Sequence, residues 1–209
     1  PEVAPLPAMK NGYITFGCFS RPARINDEVI KTWARILKSV PESRLVLNSK
    51  PFREDENCAI WLNRFAEAGI EHGRVKLVYT SPQPRTWDAY GTIDIALDPF
   101  PHNAGTTTIE ALWLGVPVVS LASRPPVGRF GASILGSVGL DDWVTADVDA
   151  YVARAVTAAS NIAALSRLRG TLRAKFAASP IGTDSIGLAR EVEEQYRSLW
   201  RAYCASSKA

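Results

Sequence analysis

The chain has 209 residues, 46% of them apolar and 22% charged, with a formal net charge of +3, which suits one α/β-sized domain with a real core. That charge is small for the length, and the Arg and Lys residues are scattered, so nucleic acid is not indicated; no apolar stretch approaches a membrane span and no secretory signal is visible. Cys18, Cys58 and Cys204 form no CxxC pair, so they read as thiols in a reducing compartment rather than a disulfide framework or zinc site, and the expected location is cytoplasmic.

Pro1, Pro5 and Pro7 open the chain, so residues 1–10 read as the end of a linker with something upstream, and residues 11–209 as a single domain. Strand and helix patterns then alternate. Tyr13–Gly17 predicts a short buried strand, and Ile30, Trp33, Ala34 and Leu37 give the segment after Asp27 a helical stripe. A strand at Leu45–Leu47, a helix from about Asp55 to Ala68 and a strand at Val75–Val78 follow. After them come a short helix near Arg85–Tyr90, a strand at Ile93–Leu97, a helix opening on Thr106 and a strand at Val116–Leu121. Such repeats need crossover connections, which predicts a parallel sheet with helices on both faces.

Past Gly128 the pattern is mostly helical: Arg129–Val138, a short strand near Trp143–Thr145, then Val148–Ala158 and Ile162–Phe176. A last helix places Leu188, Val192, Leu199 and Tyr203 on one side. That stripe is expected to face the core, with a partner-docking face as the alternative.

The segment from Asp98 to Pro117 joins an apolar strand to a helix that opens on Gly105 and three threonines. Free N–H groups at a helix start, the helix dipole and the hydroxyls of Thr106, Thr107 and Thr108 suit the oxygens of a phosphate or diphosphate. Glu110, about one turn in, can accept from sugar hydroxyls. A capped helix packed on the sheet is the other reading of the same residues.

Ligands of open α/β sheets bind at the carboxyl ends of strands, so the loops there carry the argument. Arg21 and Arg24 follow the first strand and should rise over the same edge as Gly105; each alone also reads as surface charge. Thr80-Ser-Pro-Gln-Pro84 follows the third strand, where prolines keep a loop extended and leave Ser81 and Gln83 free to read a base edge. Together these groups suit a nucleoside diphosphate. There is no GxGxxG after the first strand and no GxxxxGK[ST], which argues against a dinucleotide dehydrogenase and a P-loop NTPase. His72 reads as surface; His102 sits in the loop before the helix, where it can reach a phosphate or sugar.

Asn-Gly-Tyr-Ile-Thr-Phe-Gly-Cys-Phe-Ser with its basic loop, Trp-Ala-Arg-Ile-Leu-Lys-Ser-Val-Pro-Glu-Ser-Arg-Leu, Asp-Ile-Ala-Leu-Asp-Pro-Phe-Pro and Gly-Thr-Thr-Thr-Ile-Glu-Ala-Leu-Trp-Leu-Gly-Val-Pro-Val-Val occur here in order. This series resembles the carboxyl-terminal catalytic lobe of the O-linked N-acetylglucosamine transferase and SPINDLY family, bacterial members included, from about Asn11 to Tyr203.

The resemblance implies the second, Rossmann-like lobe of a GT-B glycosyltransferase with a helical C-terminal region. It implies a UDP-sugar donor, a protein or peptide acceptor, no metal cofactor, and an upstream N-terminal lobe and tetratricopeptide region. It aligns Arg24 with the family's catalytic lysine on the diphosphate, Arg21 with a polar neighbour on the nucleotide, and Ser81 and Gln83 with the uracil contact. Thr106 and Thr107 align with the diphosphate threonines and Glu110 with the acidic residue on the ribose. Thr86 stands where the family usually has a histidine near the base, and Gly105 stands where animal members have one. The expected activity is inverting transfer of N-acetylglucosamine from UDP-GlcNAc to Ser/Thr. The alternatives are a GDP-fucose-dependent O-fucosyltransferase and a non-catalytic nucleotide-sugar-binding or scaffold module.

Overall fold

A computed structural model describes residues 1–80, 85–183 and 185–206, without the side chains of Arg85, Thr86 and Ser185. Among the described residues six parallel strands form the sheet: β1 (Thr15–Cys18), β2 (Arg44–Asn48), β3 (Val75–Val78), β4 (Ile95–Leu97), β5 (Val118–Leu121) and β6 (Val144–Thr145). Their order across the sheet is β3-β2-β1-β4-β5-β6. β1 lies between β2 and β4, with Phe16 in register with Leu45 on one side and Ile95 on the other. All four residues of β1 and of β5 are buried, the near-continuous apolar reading of parallel strands covered on both faces.

The connections are α1 (Ala8–Asn11), α2 (Asp27–Ser39), α3 (Asp55–Glu67), α4 (Arg85–Asp88), α5 (Thr106–Trp113), α6 (Phe130–Ser137), α7 (Val148–Ser160), α8 (Ile162–Ala178), α9 (Pro180–Thr183) and α10 (Ser185–Ser206). Asn26 caps α2 by accepting from Val29 N–H at 2.9 Å, and Asp147 caps α7 by accepting from Ala150 N–H at 2.7 Å. α2 buries Val29, Ile30, Trp33, Ile36 and Leu37, the face its spacing marked. Between β4 and β5, α5 stops at Leu114, and Gly115 turns the chain at φ +79. A Cβ there would come within 2.6 Å of Val3 and 2.9 Å of the Arg169 carbonyl, so only glycine fits.

The opening segment, read from its prolines as a linker end, packs on the domain. Leu6 and Ala8 are buried, and Asp94 accepts from the N–H groups of Ala8 (2.8 Å) and Thr15 (2.7 Å). Arg169 of α8 reaches the same place, donating to the carbonyls of Ala4 (2.7 Å), Ile93 (2.9 Å) and Tyr90 (3.3 Å). Buried polar groups need such partners, and here they fasten the first residues to the sheet.

The last helix departs from expectation. Leu188, Val192, Leu199 and Tyr203 are 44% to 65% exposed, so the stripe is no part of this chain's core. α10 follows α9 and packs against it.

Candidate functional site

The chain leaves β1 and β4 in opposite lateral directions, so the loops at their carboxyl ends part and open a crevice. One loop runs through a 3-10 turn at Pro22–Arg24, and the other runs from Asp98 to Gly105 and enters α5. Two hydrogen bonds tie them together: Arg24 Nη1 donates to the Asn103 carbonyl (3.2 Å), and Asn26 Nδ2 donates to the Phe100 carbonyl (3.3 Å). Between the loops lies a cavity of about 540 Å³ lined by Phe19, Ser20, Arg21, Arg24, Gly105, Thr106, Thr107 and Phe130.

Gly105 caps α5 without a side chain. Its carbonyl accepts from the N–H groups of Thr108 (3.0 Å) and Ile109 (3.1 Å). Among the described residues, the N–H groups of Gly105, Thr106 and Thr107 have no such acceptor. Three open donors, the positive end of a helix and two guanidinium groups therefore meet in one cavity, an arrangement that attracts a polyanion. Thr108 corrects the three-hydroxyl expectation: it is buried, and its hydroxyl donates to the Ala104 carbonyl at 3.1 Å. It holds the loop, while Thr106 and Thr107 face the cavity.

Asp98 anchors this loop from behind. It is buried and accepts from Ala104 N–H at 2.7 Å and from Ser120 Oγ at 2.6 Å. Burial pushes its carboxyl up to about 7, against the lowering pull of those two bonds and of the Arg24 charge. Its carbonyl accepts from Tyr151 Oη at 2.9 Å, and Tyr151 Oη accepts from Trp33 Nε1 at 3.2 Å. The α2 and α7 helices thus brace the loop. Cys18, at the end of β1, is buried, and burial pushes its thiol up to about 12, which favours the thiol form.

Glu110 stands one turn along α5, beside the cavity and not in its lining. Its Oε2 accepts from Tyr90 Oη at 3.0 Å and its Oε1 from Trp87 Nε1 at 3.4 Å. His102 is exposed and outside the lining. Ser81 and Gln83 lie outside the described residues, as does the Thr86 side chain. Of the expected residues, then, Arg21, Arg24, Gly105, Thr106 and Thr107 come together, with Glu110 adjacent. Asp98, Tyr90, Trp87 and Phe130 were not picked out from sequence. The three-residue spacing of Trp87 and Tyr90 beside the loop was a usable signal; nothing local marks Phe130. Among the described residues no group of three or more His, Cys, Asp and Glu side chains gathers as a metal site, and no helix is long and apolar enough to cross a membrane.

A parallel sheet in the order 3-2-1-4-5-6 with a crevice at its switch point is a Rossmann-type doubly wound fold, and its likeness to a solved O-GlcNAc transferase makes it GT-B-like. The model of Glycosyl transferase family 41 matches residues 7–184, and the chain belongs to that family. It is 40% identical to a probable UDP-N-acetylglucosamine–peptide N-acetylglucosaminyltransferase SPINDLY of Solanum lycopersicum over 97% of this chain and 22% of that protein. Among solved structures, an O-GlcNAc transferase mutant of Thermobaculum terrenum superposes with a TM-score of 0.85 at 32% identity, covering 94% of this chain and 38% of that one. Sucrose-phosphate synthase from Thermosynechococcus elongatus shares the fold alone, at a TM-score of 0.61 and 19% identity over 95% of this chain and 50% of the other. The chain thus spans about a fifth of the length of the SPINDLY relative.

Proposed function

We propose that this chain is the nucleotide-sugar-binding lobe of a cytoplasmic, inverting protein O-glycosyltransferase that moves N-acetylglucosamine from UDP-GlcNAc to Ser/Thr. The observation that carries the proposal is the single cavity shared by Arg21, Arg24 and the start of α5. In this reading the N–H groups and hydroxyls of Thr106 and Thr107 bind the diphosphate, Arg21 and Arg24 neutralise it, and Glu110 receives the ribose. Ser81 and Gln83 are assigned to the base, and His102 to the sugar side of the loop.

In the proposed reaction an acceptor hydroxyl attacks the anomeric carbon from the face opposite the diphosphate. A carbon–oxygen bond forms, the bond to the β-phosphate breaks, and UDP leaves with the electron pair. The charge that develops on that leaving group is what this lobe stabilises, and donors fixed in advance around developing charge are a large catalytic term. The acceptor's proton needs a base, which we assign to a preceding lobe in a longer polypeptide that also carries a tetratricopeptide region. Arg21, Arg24 and the helix start supply the positive charge, so the scheme gives no step to a metal.

The test is transfer of labelled N-acetylglucosamine from UDP-GlcNAc to a Ser/Thr peptide. The longer polypeptide transfers the label, its Arg24→Ala variant loses most of that activity, and residues 1–209 alone transfer none. A parent polypeptide that binds UDP-GlcNAc and transfers nothing contradicts the enzymatic reading.

A further inference from the structure

We infer that Tyr90 and Trp87 are positioning residues for the ribose contact, holding both oxygens of the Glu110 carboxylate so that its remaining lone pairs face the nucleotide's ribose hydroxyls. The inference rests on the proposed role of Glu110. Tyr90 Oη lies 3.0 Å from Oε2 and Trp87 Nε1 lies 3.4 Å from Oε1. A glutamate carboxylate on a helix surface turns about its terminal torsion almost freely. Separate donors on separate oxygens fix its plane. A carboxylate offers about four lone-pair sites, so with two engaged the others stay open to hydroxyl donors.

The phenol is itself well held. Tyr90 is 2% exposed, its ring centroid lies 4.5 Å from that of Phe19, and its carbonyl accepts from Arg169 Nη2 at 3.3 Å. Its hydroxyl also lies 3.2 Å from the Thr107 carbonyl. One proton faces two acceptors, and the charged one wins it, because bonds to an ionised acceptor are about twice as strong as neutral ones. Burial, and then the Glu110 charge, push the phenol well above its ordinary range, so it remains a donor at any working pH. The same hydroxyl thus touches the ribose carboxylate and the backbone of a residue that lines the cavity. A carboxylate ordered before ligand arrives does not have to be ordered on binding, which favours affinity.

The test compares UDP with 2′,3′-dideoxy-UDP by calorimetry on the chain, with GDP and its dideoxy counterpart as a second pair. The parent binds the ribonucleotide at least about tenfold more tightly, the size of a charge-assisted hydrogen bond. Tyr90→Phe keeps the ring on Phe19 and brings that ratio below about threefold, and Trp87→Phe gives a ratio between the two. A merely structural role for Tyr90 weakens both nucleotides alike, and an unchanged ratio in Tyr90→Phe overturns the inference. Glu110→Gln separates the two levels. If Glu110→Gln lowers the ratio and Tyr90→Phe does not, only the positioning role falls; if Glu110→Gln leaves it unchanged, the ribose reading falls and the inference with it.

Discussion

Arg24 Nη1 lies 3.2 Å from the carbonyl oxygen of Asn103, so the guanidinium that enters the cavity from the β1 loop is fastened to the chain two residues before Gly105. The contact sets the charge against the helix start without neutralising it, because the partner is a carbonyl and not a carboxylate. Among the described residues Arg24 makes no ion pair.

That geometry predicts the effect of removing the charge. Arg24→Ala weakens UDP binding by about tenfold or more, as for loss of a hydrogen-bonded charge. Arg24→Lys keeps most of the affinity, because the ammonium retains the charge and loses only the planar fork. In the longer polypeptide, turnover falls further than donor binding, since negative charge grows on the leaving group. Calorimetry and steady-state kinetics measure the two effects; unchanged affinity and turnover in Arg24→Ala remove the residue from the site.

Thr107 and Thr108 are neighbours with opposite tasks. Thr107 lines the cavity, so Thr107→Val weakens UDP binding by a few fold, on the scale of one neutral hydrogen bond, and leaves melting nearly unchanged. Thr108 bonds inward to Ala104, so Thr108→Val lowers the melting temperature by on the order of 2–4 °C. Paired melting and titration curves decide; a fall in melting for Thr107→Val equal to its loss of binding makes that residue structural.

Much of this was legible in the sequence. β3 falls on Val75–Val78 as its apolar run predicted, and α3 on Asp55–Glu67 within one residue, because sequence patterning is local. The helix start at Thr106 was readable for the same reason. What periodicity does not report is which surface covers a stripe: Leu188, Val192 and Leu199 have the spacing of a buried face and are exposed. Nor does spacing show a side chain's direction, which is why three threonines in a row looked alike until Thr108 turned toward Ala104. Asp98 and Tyr90 act through partners 22 and 20 residues away, contacts that only the folded sheet creates.

Asp98 gives a pH dependence with a definite sign. Its carboxyl is raised to about 7, so between the ordinary aspartate range and pH 7 the folded chain holds a proton that the unfolded chain releases. The stability this contributes is complete at low pH and is lost as pH rises through about 7. Asn at this position accepts from Ala104 and donates to Ser120 while staying neutral. Asp98→Asn therefore melts close to the parent at acid pH and higher at pH about 8, by on the order of 5 °C. Melting across that range tests it, and a parent that gains stability over Asp98→Asn as pH rises contradicts the assignment.

Gly131 opens the space that Asp98 and Ser120 occupy. A Cβ there would strike Ser120 Oγ and come within 3.0 Å of Asp98 Oδ2, between groups that have no room to withdraw. Gly131→Ala therefore destabilises the fold by about 1–3 kcal/mol, the usual cost of overpacking, and loosens the Ala104 anchor. Chemical denaturation measures the first effect and loss of UDP affinity the second; an unchanged denaturation midpoint contradicts it.

The most direct measurement of the central claim is calorimetric titration of the chain with UDP and with GDP, each with and without a chelator. A cavity formed by Arg21, Arg24 and the open N–H groups of Gly105, Thr106 and Thr107 predicts one diphosphate site per chain, unaffected by the chelator, and the proposed UDP-GlcNAc donor adds tighter binding of UDP than of GDP. No binding of either nucleotide, equal affinity for both, or binding abolished by the chelator contradicts it.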